Sequence, residues 1–233
     1  MKTAYLEGLA VMLTIANASV QIGRNLLFSD VSFEIHRGEL GLIMAPSGAG
    51  KTTLLRWIAG LDINGLSAAG TLTLDGERID MLPAERRRVG FLFQSPLLFP
   101  HLTVSDNLAF GLSATVKGPD RKAVISDALE TAGLGGFEMR DPDSLSGGQQ
   151  SRVALLRALL AQPRALLLDE PFASLDDLTR DNILSFLAAE VKRRDIPVLL
   201  VSHDPRDRDM GSLLPATTIT LTSQNGAEPS SSR

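Results

Sequence analysis

Residues 39–53 read Glu39-Leu40-Gly41-Leu42-Ile43-Met44-Ala45-Pro46-Ser47-Gly48-Ala49-Gly50-Lys51-Thr52-Thr53, after which Leu54, Leu55, Ile58 and Ala59 recur at helical spacing. A short apolar run of buried-strand type, a glycine-rich loop and an amphipathic helix, in that order, are the context a phosphate-binding loop requires. Gly48 and Gly50 let the backbone bend so that its N–H groups converge on phosphate oxygens. A helix starting near Lys51 adds the positive end of its dipole. On this reading Lys51 reaches the β- and γ-phosphates and the Thr52 hydroxyl ligates Mg²⁺. Ala45 stands where the pattern has its first glycine; right-handed or extended backbone accepts alanine there, and only a positive φ would penalise it.

Further along, the apolar run Ala165–Leu168 ends in Asp169-Glu170-Pro171. An acidic pair at the end of a buried strand is costly unless its charge is used. The spacing from the loop assigns Asp169 to the Mg²⁺ shell and Glu170 to the attacking water as general base. Between the two lies Leu145-Ser146-Gly147-Gly148-Gln149, followed by Leu155, Leu156, Leu159 and Leu160 at helical spacing, with Arg152 and Arg157 among them. Ser146 suits the cap of that helix, and Gly147 and Gly148 permit close backbone approach to a ligand. A second anion site is therefore expected, far along the chain from the first.

Composition narrows the alternatives. The chain has 233 residues, 44% of them hydrophobic, with 23 Lys and Arg against 27 Asp and Glu and no cysteine. That suffices for one domain, or one with a sizeable insertion, around a substantial core. Disulfides, Cys-based zinc sites and thiol catalysis are excluded. A net charge of -4 gives no basic footprint for a nucleic-acid partner, and three histidines (His36, His101, His203) make a His-rich metal site a poor reading. The uncharged stretch Gly8–Gly23 is not a secretion signal on its pattern: Glu7 follows Lys2, and Leu13, Ile15, Ala18, Val20 and Ile22 alternate as in a β-strand. Either Met1 or Met12 could be the start. No run is long and apolar enough to cross a bilayer. Thr222–Arg233, rich in Ser, Gly, Asn and Pro, reads as a frayed tail, and Arg86-Arg87-Arg88 as a solvated strand end.

With these motifs in place, the chain resembles the ATPase subunits of ATP-binding cassette (ABC) transporters from about Met12 to Thr220. The ordered set is the loop ending at Lys51-Thr52, Gln94 in Phe91-Leu92-Phe93-Gln94, Leu145–Gln149, Asp169-Glu170, Ser174-Leu175-Asp176 and Ser202-His203-Asp204. The resemblance implies a P-loop NTPase core that binds ATP and Mg²⁺, with Pro46, Ser47, Gly48, Ala49, Gly50, Lys51, Thr52 and Thr53 around the phosphates. It further implies that Gln94 senses the metal and the water and that Asp176 signals across a dimer. His203 then contacts the γ-phosphate, and Ser146, Gly147, Gly148 and Gln149 of one subunit cover the γ-phosphate held by Lys51 of another. Implied partners are a second copy of the chain, integral membrane permease subunits and a separate solute-binding protein, with the ATPase peripheral on the cytoplasmic face of the bacterial inner membrane and no nucleic acid bound. The apolar segment Gln94–Val104, broken by Pro96 and Pro100, lies where such a subunit receives its permease, with Leu97, Leu98, Phe99 and Leu102 as docking residues. Pro100–Leu108 resembles importers for small polar solutes. Too few residues follow His203 for the regulatory domain that many such importers carry.

One departure concerns the base. The family's adenine-stacking aromatic falls near Ile22, where an aliphatic side chain loses about 0.5–1.5 kcal/mol of ring-stacking preference. Two other readings stay open. A non-transport ABC ATPase generally carries tandem cassettes or a coiled coil, absent here. A degenerate cassette that binds ATP without efficient hydrolysis is opposed by Glu170 and His203 and kept open by Ala45 and Ile22.

The expected fold is α/β. Leu40–Met44, Val89–Phe93, Leu166–Asp169 and Val198–Ser202 form a mostly parallel sheet flanked by helices, and Leu13–Val20, Val31–Ile35 and Gly70–Leu74 an antiparallel region beside it. Residues 12–94 and 163–221 would make the catalytic core, residues 95–162 an inserted helical subdomain and residues 222–233 the tail.

Overall fold

The computed structural model describes residues 12–221 apart from Ser47, Ala114 and Ser174, with no side chain described at Asp209. The expected tail, the residues before Met12, and Ser47 and Ser174 of two motifs lie outside the described residues.

The chain begins with two long strands, β1 (Met12–Ile22) and β2 (Asn25–His36), paired antiparallel. Leu13, Ile15, Ala18 and Val20 turn inward, as the alternation requires. Both strands exceed the sequence expectation: β1 gains Met12 and Gln21-Ile22, and β2 starts at Asn25, its early half carrying the apolar run Leu26-Leu27-Phe28, of which Leu27 and Phe28 are buried. There follow β3 (Leu40–Met44), α1 (Lys51–Ala59), β4 (Leu66–Leu74), β5 (Glu77–Arg78), α2 (Ala84–Arg87) and β6 (Val89–Leu92). Three helices come next, α3 (Val104–Ala109), α4 (Gly118–Thr131) and α5 (Gly147–Leu160). The chain closes with β7 (Ala165–Asp169), α6 (Asp177–Arg194), β8 (Val198–Ser202), a 3₁₀ segment (Pro205–Ser212) and β9 (Ala216–Ile219).

The strands form two sheets. One is antiparallel in the order β2-β1-β4-β5, and the other is parallel in the order β6-β7-β8-β3-β9. The four expected parallel strands are present to within a residue. β9 was not anticipated: only Ile219 of its four residues is buried, so it has no apolar run to betray it. Both faces of the parallel sheet are covered. Ile43, Leu167, Leu199 and Val201 pack with Leu54, Leu55 and Ile58 of α1, which is sandwiched against the antiparallel sheet. Leu42, Leu166, Leu168 and Leu200 face Leu155 and Leu159 of α5 and Ile183, Leu184 and Leu187 of α6. Continuous apolar strands are what such two-sided burial demands. A third cluster joins α3, α4 and α5 through Val104, Leu108, Ile125, Leu129, Val153 and Leu156. No helix among the described residues is long and apolar enough to cross a membrane.

The reading of Arg86-Arg87-Arg88 as a solvated end needs correction. Arg86 and Arg88 are exposed, but Arg87 is buried at 6% exposure. Its guanidinium donates to the carbonyls of Trp57 (2.6 Å), Ile58 (3.0 Å), Leu82 (2.7 Å) and Asp80 (2.7 Å). Four carbonyls, two from the last turn of α1, of which that of Trp57 also accepts from Gly60 N, repay the desolvation of one planar cation.

Candidate functional site

In a parallel sheet, ligands gather beyond the carboxyl ends of the strands. β3 and β7 flank β8, and the chain leaving each carries a motif. After β3 the loop reaches α1 through Gly48 (φ +82°) and Gly50 (φ +84°), both left-handed. A side chain at Gly48 would meet open space, so its requirement is conformational alone. At Gly50 an added Cβ would also press on Leu27 Cβ and the Phe28 ring at 3.1 Å. Pro46 and Gly48 are exposed, whereas Ala49 turns inward.

Lys51 is 5% exposed. Its Nζ donates to the carbonyls of Ala45 (2.6 Å) and Pro46 (3.1 Å) and lies 3.4 Å from Glu170 Oε1. The Thr52 hydroxyl donates to Asp169 Oδ1 at 2.9 Å. Burial pushes the Asp169 carboxyl above its usual range against the Thr52 hydrogen bond; the Glu170 charge adds to the rise and Lys51 opposes it. Glu170 Oε2 is 2.9 Å from His203 Nδ1 at the end of β8. Glu170 also holds a left-handed backbone, φ +46°, fixed by its N–H donating to the Val201 carbonyl at 3.0 Å. For a non-glycine residue that conformation costs about 1 kcal/mol or more, and such strain gathers at functional sites. Lys51, Thr52, Asp169, Glu170 and His203, together with Gly48, Gly50, Ile22, Leu27, Thr53 and Gln94, line a cleft of about 530 Å³.

The donor set fits a magnesium triphosphate. Among the described residues no cluster of three His, Asp or Glu side chains could cage a metal. A hydroxyl and one carboxylate held 2.9 Å apart beside a Lys-tipped loop match the way Mg²⁺ is shared between protein and substrate phosphates.

The second glycine motif is placed elsewhere. Ser146 caps α5: its Oγ accepts from Gln149 N (3.3 Å) while Gln149 Oε1 accepts from Ser146 N (3.0 Å), a reciprocal capping box. The Ser146 hydroxyl hydrogen stays available to an acceptor. Ser146 and Gly147 are exposed, and none of Ser146–Gln149 lines the cleft around Lys51. Asp176 caps α6, accepting from Thr179 N at 3.0 Å, and hydrogen bonding to Thr179 holds its carboxyl below the usual range.

A profile of the ABC transporter family matches residues 28–173. The chain belongs to the ABC transporter family. With that membership stands the enzyme class expected from the motifs, an ATPase. It is 47% identical over 196 residues to an uncharacterized ABC transporter ATP-binding protein of Escherichia coli K12, YnjD, covering 84% of this chain and 90% of that protein. It is 41% identical over 193 residues to the sulfate/thiosulfate import ATP-binding protein CysA of Mycobacterium bovis and 42% identical over 195 residues to that of Gloeobacter violaceus. Those alignments cover 82% and 83% of this chain but only 54% and 56% of the CysA proteins, so the chain spans about half their length.

Seen as an ABC ATPase, the chain departs from its motifs with little disturbance. Ala45 is not among the positive-φ residues, so its methyl costs no backbone strain. Gly148 is glycine for a reason the sequence hid: an added Cβ would lie 2.1 Å from Thr179 Cγ2. It secures the packing of α5 on the start of α6, leaving Gly147 as the exposed position. Leu27 was missed altogether. It follows the β1–β2 turn, and only the strand pairing brings it beside Ile22 at the cleft.

The expected docking segment is only partly open. Leu97 is 54% exposed, while Leu98 packs into two core clusters. Phe99 packs against Phe110 with the rings tilted by 50° and 4.8 Å between centroids, and Phe110 itself is 70% exposed. A groove of about 280 Å³ runs between Ser95–Leu98 and Pro142, Asp143 and Gln150.

Proposed function

We propose that this chain is the ATP-hydrolysing motor of an importer, working as a head-to-tail pair of subunits beneath a membrane permease. One observation carries the pairing: the glycine turn at Ser146–Gly147 is exposed and lines no part of the cleft that holds Lys51. A γ-phosphate at Lys51 is therefore covered by the α5 N-terminus only if that helix comes from a second copy. Residues 12–94 and 163–221 act as the catalytic core in this reading, and residues 95–162 as the helical subdomain that carries the lid. The groove beside Leu97 receives a short segment of the permease, which places the subunit at the cytoplasmic face of the membrane. A separate solute-binding protein would deliver the cargo.

Within each cleft, Lys51 grips the β- and γ-phosphates and the loop N–H groups align them. Thr52, Asp169 and Gln94 are the residues that would hold Mg²⁺, which when bound would supply positive charge against the charge developing on the phosphates. Glu170 orients the attacking water and takes its proton, and His203, already hydrogen-bonded to Glu170, holds that carboxylate in place beside the γ-phosphate. Lid closure would excluded water from the site and pull on the permease; product release would reopen it.

Complementation tests the pairing. Lys51→Ala and Ser146→Arg should each be inactive alone, one lacking the phosphate grip and the other the lid. Mixed, they form pairs with one intact composite site, and ATPase activity should return in proportion to the mixed pair. Absence of recovery, with both variants folded, would count against head-to-tail closure.

The base is seated against Ile22 and Leu27, both aliphatic. Discrimination between ATP and GTP is expected to be weak, and Ile22→Tyr should tighten ATP binding about twofold to tenfold, the equivalent of one ring-stacking contact. Competition binding measures this. Strong ATP preference in the unaltered protein, unmoved by Ile22→Tyr, would overturn the assignment of the base to this wall.

A further inference from the structure

Arg180 and Asp207 are buried, each at 3% exposure. Arg180 Nη2 hydrogen-bonds Asp207 Oδ1, forming an ion pair between the first turn of α6 and the 3₁₀ segment that follows His203. Arg180 Nη1 also lies 3.7 Å from exposed Asp181. A second tie joins the same two stretches at the surface. Arg206 forks onto Asp204 through Nε, 3.0 Å from Oδ1 and 2.9 Å from Oδ2, and its Nη1 reaches Asp177. The Arg206 guanidinium holds the Asp204 carboxyl down at about 2. Residues 203–207 and 176–181 are thus pinned together twice, once in the core and once in solvent.

Adhesion alone does not call for a buried charge pair. Met210 and Leu214 already pack the segment against Ile183, Leu184 and Leu187 of α6 in one apolar cluster. Burying two ions costs several kcal/mol of desolvation, and hydrophobic replacements of similar shape are often as stable. What an ion pair adds over apolar contact is direction and register. Here the register is shared by two motif residues, His203, which lines the cleft, and Asp176, which caps α6. His203 lies four residues before Asp207, and the Asp207 N–H donates to the Asp204 carbonyl at 3.1 Å. Asp176 lies four residues before Arg180, and the Arg180 N–H donates to the Asp176 carbonyl at 2.9 Å. Each ion is therefore one backbone turn from a loop of the site.

We propose that Arg180 and Asp207 are positioning residues: their buried pair locks the His203 loop to the Asp176 loop so that the two move as one body. A shift of Asp176 caused by a facing subunit would then be delivered to His203, and through its 2.9 Å hydrogen bond to Glu170. The exposed Arg206 tie is screened by salt and contributes less. The role rests on the function proposed above for His203 and on the signalling across a dimer that the family resemblance implies for Asp176, but the lock itself does not, so the two are tested separately.

The variants are Arg180→Met, Asp207→Asn and Arg180→Lys in the full-length protein, each checked for thermal unfolding. In wild type the ring resonances of His36, His101 and His203 report three separate places by NMR. Arg180→Met and Asp207→Asn should shift or broaden the His203 signals and leave His36 and His101 unmoved, whether or not ATP is hydrolysed. Turnover should fall about tenfold to a hundredfold, as for catalytic groups displaced by an ångström. KM for ATP should stay within about twofold, since the phosphate grip is untouched. Arg180→Lys should recover most of the turnover, because the contact is made by one nitrogen and an ammonium can replace it. An unmoved His203 signal would overturn the lock. So would losses of turnover that follow loss of folded protein, or that Arg180→Lys fails to reverse. A wild-type protein that does not hydrolyse ATP would instead sink the functional reading and leave the NMR outcome to decide the lock.

Discussion

Replacing Glu170 with Gln is expected to cut ATP turnover about a hundredfold to ten-thousandfold, the usual contribution of a general base, while nucleotide stays bound. The substitution keeps the side chain's shape and can keep a hydrogen bond to His203, so the left-handed turn at residue 170 has no reason to rearrange. It removes the only two things the carboxylate supplies: a proton acceptor for water and a negative charge 3.4 Å from Lys51 Nζ. The second loss favours phosphate, because Lys51 no longer shares its charge with a neighbouring acid. Binding should therefore be equal to wild type or tighter. With hydrolysis blocked and ATP retained, the pair of subunits has no route to reopen, and the protein should elute at twice its monomer mass in Mg²⁺ and ATP but not in ADP. Light scattering coupled to size exclusion reads this directly. Rapid turnover by the variant would remove Glu170 from the chemistry; a monomer with ATP firmly bound would remove the closed pair.

Why Glu170 could be named from sequence, and other residues not, follows from the kind of physics each obeys. The Lys51 loop and the Asp169-Glu170 pair announce themselves because a turn needing glycine and an acid at the end of an apolar run are local anomalies, visible within ten residues. The parallel strands were legible for the same reason: burial on both faces makes them unbroken apolar runs, and β7 is buried at every position. The helix cap at Ser146 is local too, and its reciprocal bond with Gln149 spans three residues. What escaped is long-range. Leu27 reaches the cleft through the pairing of two strands, Gly148 is explained by Thr179 thirty-one residues later, and Arg180 finds Asp207 across twenty-seven. In sequence Leu27 and Arg180 are an ordinary leucine and arginine, and Gly148, though marked by its motif, shows nothing of its packing on Thr179. Arg87 is the sharpest case: its neighbours Arg86 and Arg88 are solvated, and nothing in a basic triplet says which member turns inward.

That inward turn carries a large stability effect. Arg87→Met should destabilise the protein by about 3 kcal/mol, the value of one or two charged hydrogen bonds whose partners stay buried. For a chain of this length that corresponds to a fall in Tm of about 6–12 °C. The guanidinium holds the Trp57 and Ile58 carbonyls of the last turn of α1, together with those of Asp80 and Leu82, and a thioether offers none of them a donor. Burial draws the Arg87 pKa down and the nearby Asp80 charge opposes this, so the site favours a cation that stays charged when buried. Gly60 is fitted to the same group: it ends α1 with φ +75°, and an added Cβ there would lie 2.6 Å from Arg87 Nε. Arg86→Ala, on the solvated side of α2, should change stability by no more than about 0.5 kcal/mol. Lysine at position 87 should fall between, since its three donors converge on a point and cannot span four carbonyls. The loss should stay at that end of α1. Lys51 and Thr52 occupy its opposite terminus, so well below the lowered Tm the variant should bind ATP with near wild-type affinity. Equal melting temperatures for Arg87→Met and Arg86→Ala would show that the four carbonyls find other partners. A large loss of ATP affinity in fully folded Arg87→Met would show that α1 transmits strain along its whole length.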